Sequence, residues 1–362
     1  MRRIPLSQPF IDDEIRQAVL GVLDSGRFIL GPQCQAFERE LAQSVGRRHA
    51  VLSSSWTAGV YLLHQAMDLR PGDEIIVPSH TAFPSIEPML HCGARPVFVD
   101  IDDTCCMDPE QAESAITPRT VGILPVHLYG HPADLERISE IARRHNLWMI
   151  EDCAQAQGAR CQGRAVGSFG AAAAFSFYPS KNLTVLGDGG CILTDDDAIA
   201  ERIRMLRDHG RRSKYSHEVA GFNLRFNEIQ AAAGRVALRH LEELNAHRRE
   251  AAARYRQRLE GIVGLPPERE WAQAVYHMFV IRHPRRDQLA SYLKERGVET
   301  GIHYPIPNHR QPAITSRFRN LPALPRTEQA VGEILSLPIH GAIALEDVDY
   351  VADCIAEFVR RT

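Results

Sequence analysis

The chain reads as an α/β protein built on a largely parallel sheet, and three observations predict this. Short apolar strands alternate with longer amphipathic stretches up to about residue 200. The strand candidates are continuous apolar runs, which marks a sheet covered on both faces by helices. The length, 362 residues, accommodates one large domain and a smaller one.

Seven runs qualify as strands: Ala50–Ser53, Glu74–Pro78, Pro96–Asp100, Val121–Val126, Leu147–Glu151, Ala173–Phe177 and Gly190–Thr194. Helical periodicity appears between them at Thr57–Met67, Ser85–His91 and Asp134–His145. The run Asn227–Glu260, rich in Ala, Leu, Glu and Arg, predicts one or two long helices, and Leu265-Pro266-Pro267 breaks the pattern. A second unit follows, with a strand at Tyr276–Arg282, a helix at Arg286–Arg296, a proline-rich loop over Tyr304–Pro312 and a terminal helix at Leu345–Val359. The expected division is a large domain over residues 1–245, whose N-terminal segment is free to pack elsewhere, and a small α+β domain over 246–362. Neither an internal repeat nor a low-complexity segment is visible.

Composition narrows the classes of function. A net charge of −3 gives no bulk electrostatic case for nucleic acid or an anionic membrane. No apolar run approaches the roughly 18 residues of a transmembrane span, and Met1-Arg2-Arg3-Ile4-Pro5-Leu6 lacks a signal-peptide core. The eight cysteines show no CxxC spacing, so free, mostly buried thiols in the cytoplasm are expected. His127 and His131 are four apart, but Pro132 and a turn argue against a metal pair, and no metal is expected.

Of 42 Lys+Arg only three are lysines: Lys181, Lys214 and Lys294. Lys214 sits in a charged run and Lys294 in a helical pattern. Lys181 alone follows an apolar strand, through the turn Tyr178-Pro179-Ser180. A lysine amine loses its proton when desolvated and can form an imine, which a guanidinium cannot. Glu151-Asp152 closes another strand, and ligand-facing residues in such sheets gather at the carboxyl ends of strands. Asp152 can hold a protonated ring nitrogen, the arrangement that pyridoxal phosphate (PLP) requires. Taken alone it reads equally well as a helix cap. Ser53-Ser54-Ser55-Trp56-Thr57 ends a strand and opens a helix, which suits a phosphate, and Ser176 adds a hydroxyl. Ordinary N-capping by Ser55 or Thr57 accounts for the same residues. Gly187-Asp188-Gly189-Gly190 reads first as a turn.

Together these segments resemble the DegT/DnrJ/EryC1/StrS family of PLP-dependent sugar aminotransferases. The resemblance is carried by Gly31-Pro32 with Phe37-Glu38, Gly72–Thr81, Pro96–Asp102, Glu151–Ala156, Phe175–Leu183, Gly221–Arg225, His303-Tyr304-Pro305 with Pro307, His309 and Gln311-Pro312, and Leu335–Pro338. It implies a type I aminotransferase fold and a homodimer with shared active sites. It further implies that Lys181 forms the Schiff base with PLP and that Asp152 pairs with the ring nitrogen. Gln155 would contact the ring hydroxyl, while Ser176 and the backbone at Trp56-Thr57 would hold the phosphate. Asn223 would reach the phosphate of the partner's site. Tyr178, Arg225, His303, Tyr304 and His309 would lie near the substrate. Two departures stand out. Trp56 occupies a position that is usually glycine, and Ala82 occupies one that is often aromatic, with Phe83 one residue later and His80 nearby as substitutes. Relatives that dehydrate rather than transaminate carry histidine in place of the lysine, so Lys181 argues against that branch.

The function expected is transfer of an amino group from glutamate or glutamine to a keto group of a nucleotide-linked deoxysugar. An aminocyclitol aminotransferase and a non-catalytic PLP-binding regulator are the rivals.

Overall fold

The computed structural model describes residues 2–361. Its centre is a seven-stranded sheet of β1 (His49–Ser53), β2 (Glu74–Pro78), β3 (Arg95–Val99), β4 (Thr120–Ile123), β5 (Trp148–Asp152), β6 (Ala172–Ser176) and β7 (Gly190–Thr194), in the order β1-β7-β6-β5-β4-β2-β3. Only β7 runs against its neighbours. Strands β2, β4, β5, β6 and β7 are almost wholly buried, as helices on both faces require. The expected strands match these within a few residues at their ends.

Register positions the site. β5 pairs with β6 so that Asp152 lies opposite Ala174, and both strands end at the same edge. Because β7 is antiparallel, its first residue, Gly190, lies between Ser53 of β1 and Ser176 of β6. The loops after β1, β5 and β6 therefore meet over one crevice, the usual ligand position in an open α/β sheet.

The stretch Glu228–Leu259 is one continuous helix, N-capped by Asn227, whose side chain accepts from Gln230 N. Its N-terminal half packs on helices Asp13–Ser25 and Pro32–Val45, and it also packs on helix Leu345–Arg361. The first two helices went unassigned in the sequence, although both carry stop signals: Gly26 (φ 64°) and Gly46 (φ 80°) adopt the left-handed conformation after them. Gly31 precedes the second helix because Glu228 packs there, and its carboxylate accepts from Gln33 N and Cys34 N, each at 2.8 Å. A Cβ at Gly31 would stand 2.7 Å from that carboxylate.

A second core is formed by Tyr255, Leu293, Val351 and Ile355 around the antiparallel pair β8 (Phe279–Arg282) and β9 (Ile334–Leu337). Ile4 is buried in this same core and bridges to Val298. All eight cysteines are buried and unpaired. No helix among the described residues is long and apolar enough to cross a membrane.

Candidate active site

The crevice at the strand ends is a cleft of about 400 Å³. Lys181, Asp152, Ser176, Trp56, Thr57, Tyr178, His303 and Tyr304 all line it. Residues from Trp56 to Tyr304 thus meet at one cavity, those after β1, β5 and β6 through the register described above.

Lys181 arrives through a tight turn, its N–H donating to the Tyr178 carbonyl at 2.8 Å. Burial lowers its pKa to about 8, with the Asp152 charge pulling the other way. An amine at that value is partly neutral near physiological pH, as proton transfer and imine formation require. Asp152 is 3% exposed. Burial pushes its pKa up, opposed by the Ser85 hydroxyl at 2.7 Å from Oδ2, by Ala154 N at 3.0 Å from Oδ1, and by the Lys181 charge. The Ala154 contact is a local turn and no helix follows, so helix capping does not explain this carboxylate.

Helix Trp56–Ala66 begins at the cleft. Ser55 caps it, Oγ accepting from Ala58 N at 3.1 Å. The N–H groups of Trp56 and Thr57 come first in the helix and have no intrahelical acceptor, and both residues line the cleft. Gly190 makes this possible, because a Cβ there would sit 2.6 Å from both the Ser55 carbonyl oxygen and Trp56 N. The glycine cluster read first as a turn therefore has a second role, as the thin place where β7 passes under the helix start.

The Trp56 side chain is buried in a cluster that includes Val51, Val60 and Ile192, and its Nε1 donates to the Ala174 carbonyl at 3.2 Å. The backbone N–H at this position does not depend on the side chain it carries. At the second departure, Ala82 itself lines the cleft. Neither proposed substitute does: His80 is buried with Nε2 on the Tyr129 hydroxyl (2.7 Å), and Phe83 packs against the main core.

Gln155 lies behind the wall. Its Oε1 accepts from Tyr129 N (2.7 Å) and its Nε2 donates to the Tyr304 hydroxyl (3.1 Å). Burial raises the Tyr304 pKa to about 12, so it stays a phenol. Burial and Lys181 both lower the pKa of His303. Gln155 does not line the cleft itself, and three further predicted residues are not brought there either. His309 is fully buried, with Nδ1 on Ser79 Oγ (2.7 Å) and Nε2 on Glu328 (3.0 Å). Asn223 is exposed and bridges to Asp208, and Arg225 pairs with Asp208 at 3.2 Å. Ser85 and His277 line the cleft but carried no signal in the sequence. Ser85 precedes its carboxylate by 67 residues, and His277 sits in a stretch that reads only as a strand.

The donor set fits PLP: an imine-forming amine, a buried carboxylate for the ring nitrogen, and free N–H groups with hydroxyls at a helix start for the phosphate. Comparison with known proteins agrees. The sequence profile of the DegT/DnrJ/EryC1/StrS aminotransferase family matches residues 9–356. The dTDP-3-amino-3,4,6-trideoxy-alpha-D-glucose transaminase of Streptomyces venezuelae is 44% identical over 98% of this chain and 96% of its own. The dTDP-3-amino-3,6-dideoxy-alpha-D-galactopyranose transaminase of Aneurinibacillus thermoaerophilus is 42% identical over 95% of each. The crystal structure of DesV from S. venezuelae superposes with a TM-score of 0.95 at 43% identity, covering 100% of both chains. The chain belongs to the DegT/DnrJ/EryC1/StrS aminotransferase family and is a PLP-dependent transaminase.

Proposed function

We propose that this transaminase moves an amino group from glutamate or glutamine to the keto group of a nucleotide-linked deoxysugar, yielding an amino-deoxysugar for a surface polysaccharide or secondary metabolite. The observation that carries the reading is Lys181 and Asp152 facing one cleft with a helix start at its side. The two dTDP-sugar transaminases above support the substrate class.

When bound, PLP supplies an electron sink for the carbanion at the substrate carbon. The chain supplies the rest. Trp56 N, Thr57 N and Ser176 hold a phosphate at the helix start. Ser85 and Ala154 favour the ionised form of Asp152 against its burial, and so help keep a proton on a facing ring nitrogen. Lys181 carries a proton between substrate atoms. Tyr304, held by Gln155, and His303 offer polar contacts to the sugar, as does the exposed Tyr178 at the mouth.

Asn223 and Arg225 serve the partner's site in a homodimer. Exposed Leu20, Leu23, Phe28, Ile29 and Leu186 supply apolar surface for that contact. We divide the chain into a cofactor unit of residues 1–245 and a small unit of 246–362, and assign it to the cytoplasm on its free thiols. The test is a panel of 3-keto and 4-keto nucleotide sugars with glutamate or glutamine as donor. An amino-sugar product is expected from at least one, with no turnover by Lys181→Ala. Complete failure across the panel, with turnover of a keto-cyclitol, would overturn the substrate class.

A further inference from the structure

His277 lies just before β8, is 4% exposed, and is among the residues that line the cleft. The amides behind it permit one tautomer. Asn245 Nδ2 donates to the Gln157 carbonyl at 2.8 Å, so Asn245 turns its oxygen to Asn182. Asn182 Nδ2 donates to that oxygen (2.8 Å) and to the Val275 carbonyl (3.0 Å). Asn182 therefore faces His277 with Oδ1, which only accepts. The ring hydrogen belongs on Nδ1, 3.3 Å away, and Nε2 is a bare lone pair. Nε2 is shielded from water, yet no group among the described residues donates to it. A buried acceptor left unpaired is costly and points to a donor not seen in the resting arrangement.

The charged and titratable groups acting on the ring are Lys181, Arg248 and His303. Arg248 donates to the carbonyls of Tyr276 (3.2 Å) and Ile339 (3.1 Å), and His303 Nδ1 bonds Ser336 Oγ (2.9 Å). Lys181 faces the same cleft, and the one carboxylate acting on it is Asp152.

We propose that His277 Nε2 accepts a hydrogen bond from the Lys181 ammonium whenever the lysine is released from the cofactor, holding the proton-loaded amine in place between the two halves of the reaction. The proton taken from the amino donor remains on Lys181 Nζ, and none passes to the ring. Burial beside Lys181 and Arg248 keeps the imidazole neutral. His277 is thus a positioning residue that acts through Lys181, and the inference rests on the role assigned to Lys181 above.

The test uses holoenzyme in its aminated-cofactor form, in which Lys181 is free, with 13Cε-labelled lysine. Lys214 and Lys294 are exposed, so only three signals arise and the buried one is distinguishable. His277→Leu is expected to lower the Lys181 titration midpoint by about one unit and to slow the donor half-reaction about tenfold. The KM for the nucleotide sugar is expected to be unchanged. His277→Gln retains an acceptor oxygen and is expected to restore both. An unshifted midpoint in His277→Leu, or equal shifts in the Leu and Gln variants, would overturn the proposal. So would 15N-histidine spectra of wild-type enzyme showing hydrogen on Nε2 of His277, a readout that needs no variant. Lys181→Ala separates the two ideas: an unchanged cofactor absorbance band there would sink the Lys181 assignment itself.

Discussion

Replacing Ser85 by alanine isolates the support of Asp152 without replacing any predicted cofactor-binding residue. Ser85 Oγ donates to Asp152 Oδ2 at 2.7 Å inside a site where both residues are buried. The hydroxyl also contacts Thr81 Oγ1 at 2.9 Å, so a second buried group loses its partner. Hydrogen bonds to charged groups contribute about 1.5–3 kcal/mol, and burial already pushes this carboxyl toward its neutral form. Loss of the hydroxyl pushes it further the same way, so less of the anion remains to keep a ring nitrogen protonated. If that energy is felt wholly in the transition state, kcat/KM falls roughly ten- to hundredfold. The variant fits the same fold, since only one oxygen is removed. Steady-state kinetics at pH 7.5, with the cofactor absorbance of the donor half-reaction followed separately, measure the effect. Asp152 retains the Ala154 contact, so Asp152→Ala is expected to be the more severe change. A Ser85→Ala enzyme within twofold of wild type in both measurements would refute this account of how the carboxylate stays charged.

Other outcomes follow from the same geometry. Gly190→Ala would place a Cβ 2.6 Å from Trp56 N and the Ser55 carbonyl oxygen, forcing the helix start away from the cleft. Overpacking of this kind costs about 1–3 kcal/mol, so PLP affinity measured by absorbance titration is expected to fall about tenfold or more, and unchanged affinity would argue against phosphate binding at that helix start. Lys181 has a folded pKa of about 8, below its ordinary value of 10.5. The folded state therefore releases its proton first, and stability of the cofactor-free protein is expected to rise as pH increases from about 8 to about 10.5 through this group. Urea unfolding of wild type against Lys181→Met across that window measures it, with the rise absent in the variant; parallel curves would contradict the depressed value.

Much of the fold was legible in the sequence because continuous apolar runs and helical periodicity are local properties. The seven strand candidates correspond to β1–β7, and the run Asn227–Glu260 holds a single helix, Glu228–Leu259. The first two helices were not assigned, although their left-handed Gly26 and Gly46 stops stood in the sequence. Of the candidate site, Lys181, Asp152, Ser176, Trp56, Thr57, Tyr178, His303 and Tyr304 share the cleft. His309 was misleading because a histidine among prolines gives no sign that Ser79 and Glu328 will take both its nitrogens.

The sequence by itself determined which chemistry the chain can hold: one lysine behind an apolar strand, an aspartate at another strand's end, and hydroxyls at a helix start. Those follow from residue type and local spacing. Tertiary structure alone decided how they are tuned. Ser85 reaches Asp152 because parallel strands bring their carboxyl ends together, across 67 residues that no local pattern links. His277 presents one bare nitrogen because two side-chain amides from separate segments, Asn182 and Asn245, lock its tautomer. The Trp56 side chain turns inward because Ala174 offers its indole an acceptor across the sheet, leaving the backbone N–H to the cleft. Hydrogen bonds between distant segments depend on register and packing, and only the folded chain fixes those.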